Sequence, residues 1–380
     1  MKRLPLRIST CILSILIAFG AAQMSHAQQV AATINFGTST YPNALAVDSA
    51  RGMLYVALNG LNEVEAIKLS TRTVVATVNL DTTAYPNANP QAIAVSNKTG
   101  LVYVGCDGTN NDGPGWVTVI NPSNNYSTTT VPVGKYPQTV AVNPVNAKIY
   151  VANYGDETVT IINPANSNST TTVLASSPEP WAFAFASNGT IYVAAAGTFG
   201  DDTNLTVINP NTNATTSVPL GILPVSLAVD LNSGNVYVPN YGNGTPGTQT
   251  LSVVEPSNNY AVSTINLNSK GPSYIALDGS GIIYLVEPQA SSVAVVNPSQ
   301  NYAITQLPLS VSGPVTYDSG ANLIVALNDN TNSVSFIAPG TLSTTTLSVG
   351  QLPIALATDS LRSESYIANK TSGSLSIIAD

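Results

Sequence analysis

PQTVAVNPVNAKIYVANYGDETVTIINP, residues 137–164, decides the fold. It holds a proline-led apolar run, a turn, a second run opening on Tyr150, a polar loop, and a third run ending at Asn163-Pro164. The order returns along the whole chain. Pro42, Pro90, Pro137, Pro180, Pro224, Pro272, Pro314 and Pro353 each precede a short apolar run, at intervals of 39 to 48 residues. Four residues after the proline stands Ala46, Ala94, Ala141, Ala184, Ala228, Ala276 or Ala357, and only the seventh copy breaks step. A small side chain recurring in phase points to a crowded place, as near the axis of a ring. A second run then opens on Tyr55, Tyr103, Tyr150, Tyr192, Tyr237, Tyr284, Ile324 or Tyr366. Its mixture of aromatic and β-branched residues suits a strand covered on both faces.

The third run commonly closes on Asn-Pro, at Asn121-Pro122, Asn163-Pro164, Asn209-Pro210 and Asn297-Pro298. That pair opens a turn and cannot continue a central ladder. A Thr-rich fourth run follows, as at residues 128–133 and 344–349. Four short antiparallel strands in each period of roughly 44 residues make a propeller blade. The eighth copy ends after its third run, whereas residues 31–36, followed by Gly37 and Tyr41-Pro42, repeat the fourth-run pattern of residues 129–133. The expectation is an all-β chain folded as a single closed β-propeller of four-stranded antiparallel blades. Eight blades are counted, with seven as the alternative, and the N-terminal strand completes the last one. Closure of this kind removes open sheet edges.

Tyr150-Val151-Ala152-Asn153, Tyr237-Val238-Pro239-Asn240 and Tyr366-Ile367-Ala368-Asn369 resemble the YVTN-type β-propeller repeat of bacterial and archaeal secreted and surface-layer proteins. The likeness spans residues 30–380 and implies a propeller, commonly seven-bladed in that family. Its defining residues are structural, so it implies little about activity.

Residues 1–27 read as a secretory signal, with Lys2, Arg3 and Arg7 ahead of an apolar centre and Ser25-His26-Ala27 at the exit. Residues 28–380 would then be the propeller, secreted or periplasmic. That part keeps nine Lys and Arg against twenty Asp and Glu, a formal charge of −11, and holds no histidine and one cysteine, Cys106. No disulfide can form within it. An acidic chain without basic clusters excludes nucleic acid and anionic membrane surfaces as partners. No later stretch approaches the roughly 18 apolar residues of a membrane span, and a monomer is expected.

Loop length locates a site. Loops joining second to third strands are extended at residues 107–115, 197–204 and 241–250, and the connection at residues 81–89 is extended as well. Such loops share one face of the ring with the interblade connections, and binding groups concentrate on loops held by a rigid scaffold. The rim of blades two to five collects Asp81, Asp107, Asp112, Asp156, Glu157, Glu179, Asp201 and Asp202 against Lys135 alone. The candidate binding rim is Tyr85, Asp107, Asp112, Tyr154, Asp156, Glu157, Trp181, Asp201, Asp202 and Tyr241. No cofactor is expected. Calcium, which takes oxygen ligands, would use Asp107, Asn111 and Asp112. Tyr41, Tyr136, Tyr154, Trp181, Tyr241 and Tyr274 gather near this face, where they either pack between blades or form a platform for a sugar or peptide. Trp116 reads as blade-edge packing and Cys106 as a buried, inert thiol.

Chemistry that depends on histidine is closed to residues 28–380. Propeller lyases, lactonases of the muconate-cyclase type and copper reductases, which the chain distantly resembles, draw on histidines, and so do Ser-His-Asp and Cys-His systems. No catalytic constellation is recognisable, which leaves carboxylate pairs as the one route to a hydrolase or lyase. The expected function is a non-enzymatic binding module whose rim holds a protein or glycan. The alternative is a structural component of the cell envelope or matrix.

Overall fold

Each proline-led repeat forms one four-stranded antiparallel sheet, and eight such sheets follow one another along the chain. The structure, a computed structural model, describes residues 28–80, 87–108, 113–195, 203–267 and 271–379. The expected signal, together with Asp81, Tyr85, Asn111, Asp112, Asp201 and Asp202, lies outside the described residues. In seven sheets the strands lie in chain order. The eighth runs Pro353–Asp359, Glu364–Asn369 and Ser374–Ala379, and its fourth strand is Gln29–Asn35, paired from Gln29 opposite Ala379 to Asn35 opposite Ser374. The chain ends therefore share the last blade. First strands of successive blades touch all the way round, the last against the first, so the count is eight and the ring is closed.

The recurring residues can now be assigned causes. Tyr55, Tyr103, Tyr150, Tyr192, Tyr237, Tyr284 and Tyr366 are each no more than 2% exposed. Each stands directly across the ladder from the phased alanine: Tyr55 opposite Ala46, Tyr150 opposite Ala141, Tyr366 opposite Ala357. The small residue leaves room for the ring beside it, which is a sharper reason than nearness to the axis. Every core cluster spans one seam. Tyr150, Val159 and Ile161 of blade three pack with Ile191, Val193 and Ile208 of blade four. Tyr366, Leu375 and Ile377 of blade eight pack with Leu54, Val56 and Leu58 of blade one, so the ring closes on the same apolar contact that builds it.

Blade seven departs from the expected register. Ile324 faces back to blade six, and the position facing blade eight is Val325, with Phe336 of the third strand supplying the missing aromatic bulk. A one-residue step sends a strand's side chains to the opposite face, so the aromatic had to come from the neighbouring strand.

The Asn-Pro pairs do terminate third strands. Pro122–Asn124, Pro164–Asn166 and Pro298–Gln300 form three-residue 3-10 turns, capped by Asn121, Asn163 and Asn297 at 3.1, 3.2 and 3.0 Å. Such turns are the only helical elements among the described residues, and no helix there is long and apolar enough to cross a membrane.

Candidate functional site

Second-strand loops and interblade connections meet on one face. Backbone bonds tie Asn59 N to Tyr41 O, Tyr154 N to Tyr136 O, Tyr241 N to Leu223 O and Lys370 N to Leu352 O, at 3.1, 2.9, 2.8 and 2.8 Å. The residue just before the repeat proline takes a left-handed backbone at Tyr41, Asn89, Tyr136, Glu179, Leu223 and Leu352, with φ between +46° and +55°. Non-glycine residues rarely adopt it. The resulting kink turns the connection over the end of the ring and delivers Tyr136 and Glu179 to this face.

Five acids outside the rim cap turns. Asp48, Asp230, Asp278, Asp318 and Asp359 end first strands and accept from backbone N–H groups two or three residues on, for example Gly320 N to Asp318 Oδ1 at 2.7 Å. These Asx turns lie at the far end of the blades. Ser96 and Asn143 do the same in blades two and three.

Asp107 is only 1% exposed. Gln91 Nε2 donates to its Oδ2 at 3.0 Å and Asn89 Nδ2 to its Oδ1. Burial raises its carboxyl, while these two amide donors pull it back down. Both oxygens are thus engaged in fixing the approach to blade two. Among the described residues no three His, Cys, Asp or Glu side chains are grouped so as to hold a metal.

Blade three brings the other rim residues together. Tyr154, Gly155 and Asp156 form a 3-10 turn that ends on Glu157 at φ +57°. Asp156 and Glu157 are exposed, and Asp156 Oδ2 accepts from Lys135 N at 2.6 Å. Tyr154 meets Tyr136 edge-on at 5.5 Å and Trp181 at 6.0 Å, and Trp181 keeps 38% of its surface in solvent. Burial, helped by a hydrogen bond and the charge of Glu179, pushes the Tyr154 phenol up to about 12. Tyr241 stands apart, its hydroxyl accepting from Gln289 Nε2 of blade six. Trp116 is 4% exposed in the core between blades one and two. Cys106 is fully buried, and that burial lifts its thiol to about 12.

Of the residues that follow each repeat proline, the sequence singles out Trp181 alone as a rim candidate. Pairing skips this position in blades one, two, three, four and eight, so Asn43, Gln91, Gln138, Trp181 and Ile354 sit on β-bulges. Asn43 Nδ2 donates to Gln91 Oε1 at 3.2 Å, and Lys370 Nζ donates to Asn43 Oδ1 at 3.2 Å. A row of amides thus runs from blade eight to Asp107. The signal available in the sequence was variation: this position changes from blade to blade directly after a proline that repeats.

A family profile described as Choice-of-anchor I domain matches residues 43–180. No curated protein matches the chain. Among solved structures, the virginiamycin B lyase of Staphylococcus aureus is 12% identical with a TM-score of 0.57, over 77% of this chain and 94% of that one. A streptogramin B lyase is 10% identical with a TM-score of 0.58, over 91% and 97%. The Kuenenia stuttgartiensis hydrazine synthase is 13% identical with a TM-score of 0.58, over 83% and 97%. At such identities the likeness is one of fold. A histidine-to-alanine variant of the Staphylococcus lyase is described as catalytically inactive.

Proposed function

We propose that this propeller is a non-enzymatic binding module of the cell exterior, secreted or periplasmic, that captures a protein or glycan on the loop-rich face of blades two to five. The observation that carries this reading is the Trp181 ring, partly exposed on a face where Tyr41 is exposed as well, and packed edge-on against Tyr154, which itself packs on Tyr136. Rigid, partly exposed aromatics are the usual anchors of recognition surfaces. Asp156 and Glu157 stand beside them, free of the turn-capping work that occupies the acids of the far face. The profile match over residues 43–180 and the YVTN-like repeats both support a surface-associated chain.

The fold likeness to lyases does not carry their chemistry across. Loss of one histidine inactivates the Staphylococcus lyase, and residues 28–380 contain none. A carboxylate-dependent hydrolase has only Asp156 and Glu157 to draw on among the described rim acids that are exposed, and these are neighbours in sequence.

Capture from a solubilised envelope fraction tests the proposal. Immobilised protein should retain a specific component that Trp181→Ala and Glu157→Lys both lose. Equal retention by wild type and variants removes the rim as a binding surface and favours the structural envelope component. Repeating the capture with and without added calcium decides whether the loop at residues 107–115 uses that ion.

A further inference from the structure

The bulges are unevenly distributed. In blades one to four the bulged residue is Asn43, Gln91, Gln138 or Trp181, and in blade eight it is the apolar Ile354. In blade five an isolated bridge from Pro224 to Asn240 precedes the paired run at Ala228, and in blades six and seven pairing opens at Tyr274 and Val315, so the corresponding residues, Val225, Ser273 and Val315, sit on no single-residue bulge. A β-bulge re-aims a side chain and ends regular pairing, and such bulges gather at barrel rims and beside functional sites. First strands form the innermost circle of the ring, so these four residues make an arc at its mouth.

We propose that Asn43, Gln91, Gln138 and Trp181 form a subsite for a neutral, linear oligosaccharide, an inference that rests on the binding function above and names its ligand class. Amides carry both donors and acceptors, as sugar hydroxyls do, and match them without a net charge. The row is fixed in advance: Gln91 is held by Asp107, and Asn43 is held between Gln91 and Lys370. Gln138 Oε1 is enclosed without a hydrogen-bond partner, and a buried acceptor in that state is costly until a donor reaches it. Turning that amide toward the mouth lets a ligand hydroxyl supply the donor. Trp181 offers an exposed ring to the C–H face of a pyranose, steadied by Tyr154 and by Thr139 Oγ1, which donates to the Trp181 carbonyl at 2.5 Å. A peptide is the poorer fit, because the bulges interrupt the backbone row that an added strand would need.

The test titrates the full protein with cellohexaose, chitohexaose and maltohexaose, followed by tryptophan fluorescence and calorimetry. Trp181 is the reporter and buried Trp116 the internal reference. At least one hexasaccharide should saturate. Trp181→Ala should weaken it about tenfold or more, the loss typical of a recognition anchor, and Gln138→Ala should weaken it with an unchanged melting temperature. Absence of saturation at millimolar sugar for all three, or equal affinity in Trp181→Ala, overturns the proposal. If the sugars fail while envelope capture still depends on Trp181, the ligand class is wrong and the binding function stands. If both fail, the binding function falls as well.

Discussion

Arg72 and Glu364, 292 positions apart in the chain, lie with Nη2 2.8 Å from Oε1. Arg72 also donates from Nη1 to Ala31 O at 3.1 Å, so a single guanidinium of blade one grips both the second strand and the N-terminal strand of blade eight. Arg362 reaches back the other way to Ser49 O at 3.1 Å, and Lys370 to Asn43. Three of the nine basic residues of the propeller thus bridge the seam where the ring closes.

Replacing Arg72 with Met should loosen that seam modestly. The pair is partly exposed, at 35% and 13%, so solvent screening limits its worth to about 1 kcal/mol. A fall of a few degrees in Tm is expected, with faster amide exchange in Gln29–Asn35 than in the Thr-rich strand Ser169–Leu174. Uniform exchange in both strands would contradict a specific role at the seam.

Asp359→Ala and Asp156→Ala should differ sharply. Asp359 is fully buried and accepts from Leu361 N at 3.1 Å and Arg362 Nη1 at 2.6 Å, so its loss removes the acceptor of the Leu361 amide and leaves Arg362 with Ser49 O. The expected cost is about 1–3 kcal/mol by chemical denaturation. Asp156 is exposed and accepts from one backbone amide, so its loss should stay below about 1 kcal/mol.

Gly134→Ala should destabilise blade three. A Cβ there would lie 2.7 Å from both Asn153 Cγ and Asp156 Oδ2. Asn153 cannot withdraw, because its Nδ2 donates to Thr158 and Thr160 at 2.9 and 2.8 Å. Gly221 on Asn240 and Gly350 on Asn369 repeat the arrangement, and overpacking of this kind costs about 1–3 kcal/mol. A wild-type melting curve for all three alanine variants would refute the lock.

Alkali should unfold the protein over a defined window. Burial raises the phenols of Tyr103, Tyr192 and Tyr237 from 10.0 to about 12. The folded state holds these protons more tightly, so their contribution is complete below pH 10 and is lost as pH rises toward 12. Tyrosinate absorbance and loss of far-ultraviolet circular dichroism should therefore appear together. Titration of these phenols near pH 10 in a still-folded protein would contradict their burial.

Cys106 should resist thiol reagents at mildly alkaline pH and react at once in denaturant. Its thiolate is suppressed by burial, with the thiol raised to about 12. Modification of the native protein at the unfolded rate would mean that the seam between blades one and two opens freely.

How much was legible depended on whether a residue acts within its repeat or across a seam. Pro137, Tyr150 and Asn163-Pro164 could be read because each works on its own blade, and repetition exposes such work. The fourth strand of the last blade could be placed at residues 31–36, near the observed Gln29–Asn35, by its likeness to its siblings. The one-residue offset at Ile324 could not, since only the packing of blade seven against blades six and eight reveals it. Among the rim acids, Asp107 and Asp156 look alike in sequence, yet one is buried between two amides and the other stands in solvent.

The chain's own letters therefore determined the blade, the number of its copies and the strand that completes the last one, because periodic proline, tyrosine and Asn-Pro are local instructions written eight times over. Which rim acids are buried, which aromatics remain exposed and which amides meet at the mouth were decided by the closed ring. Closure juxtaposes residues from different blades, such as Asn43 with Gln91 and Tyr154 with Trp181, and a spacing within one repeat carries no information about what its neighbour presents across the seam.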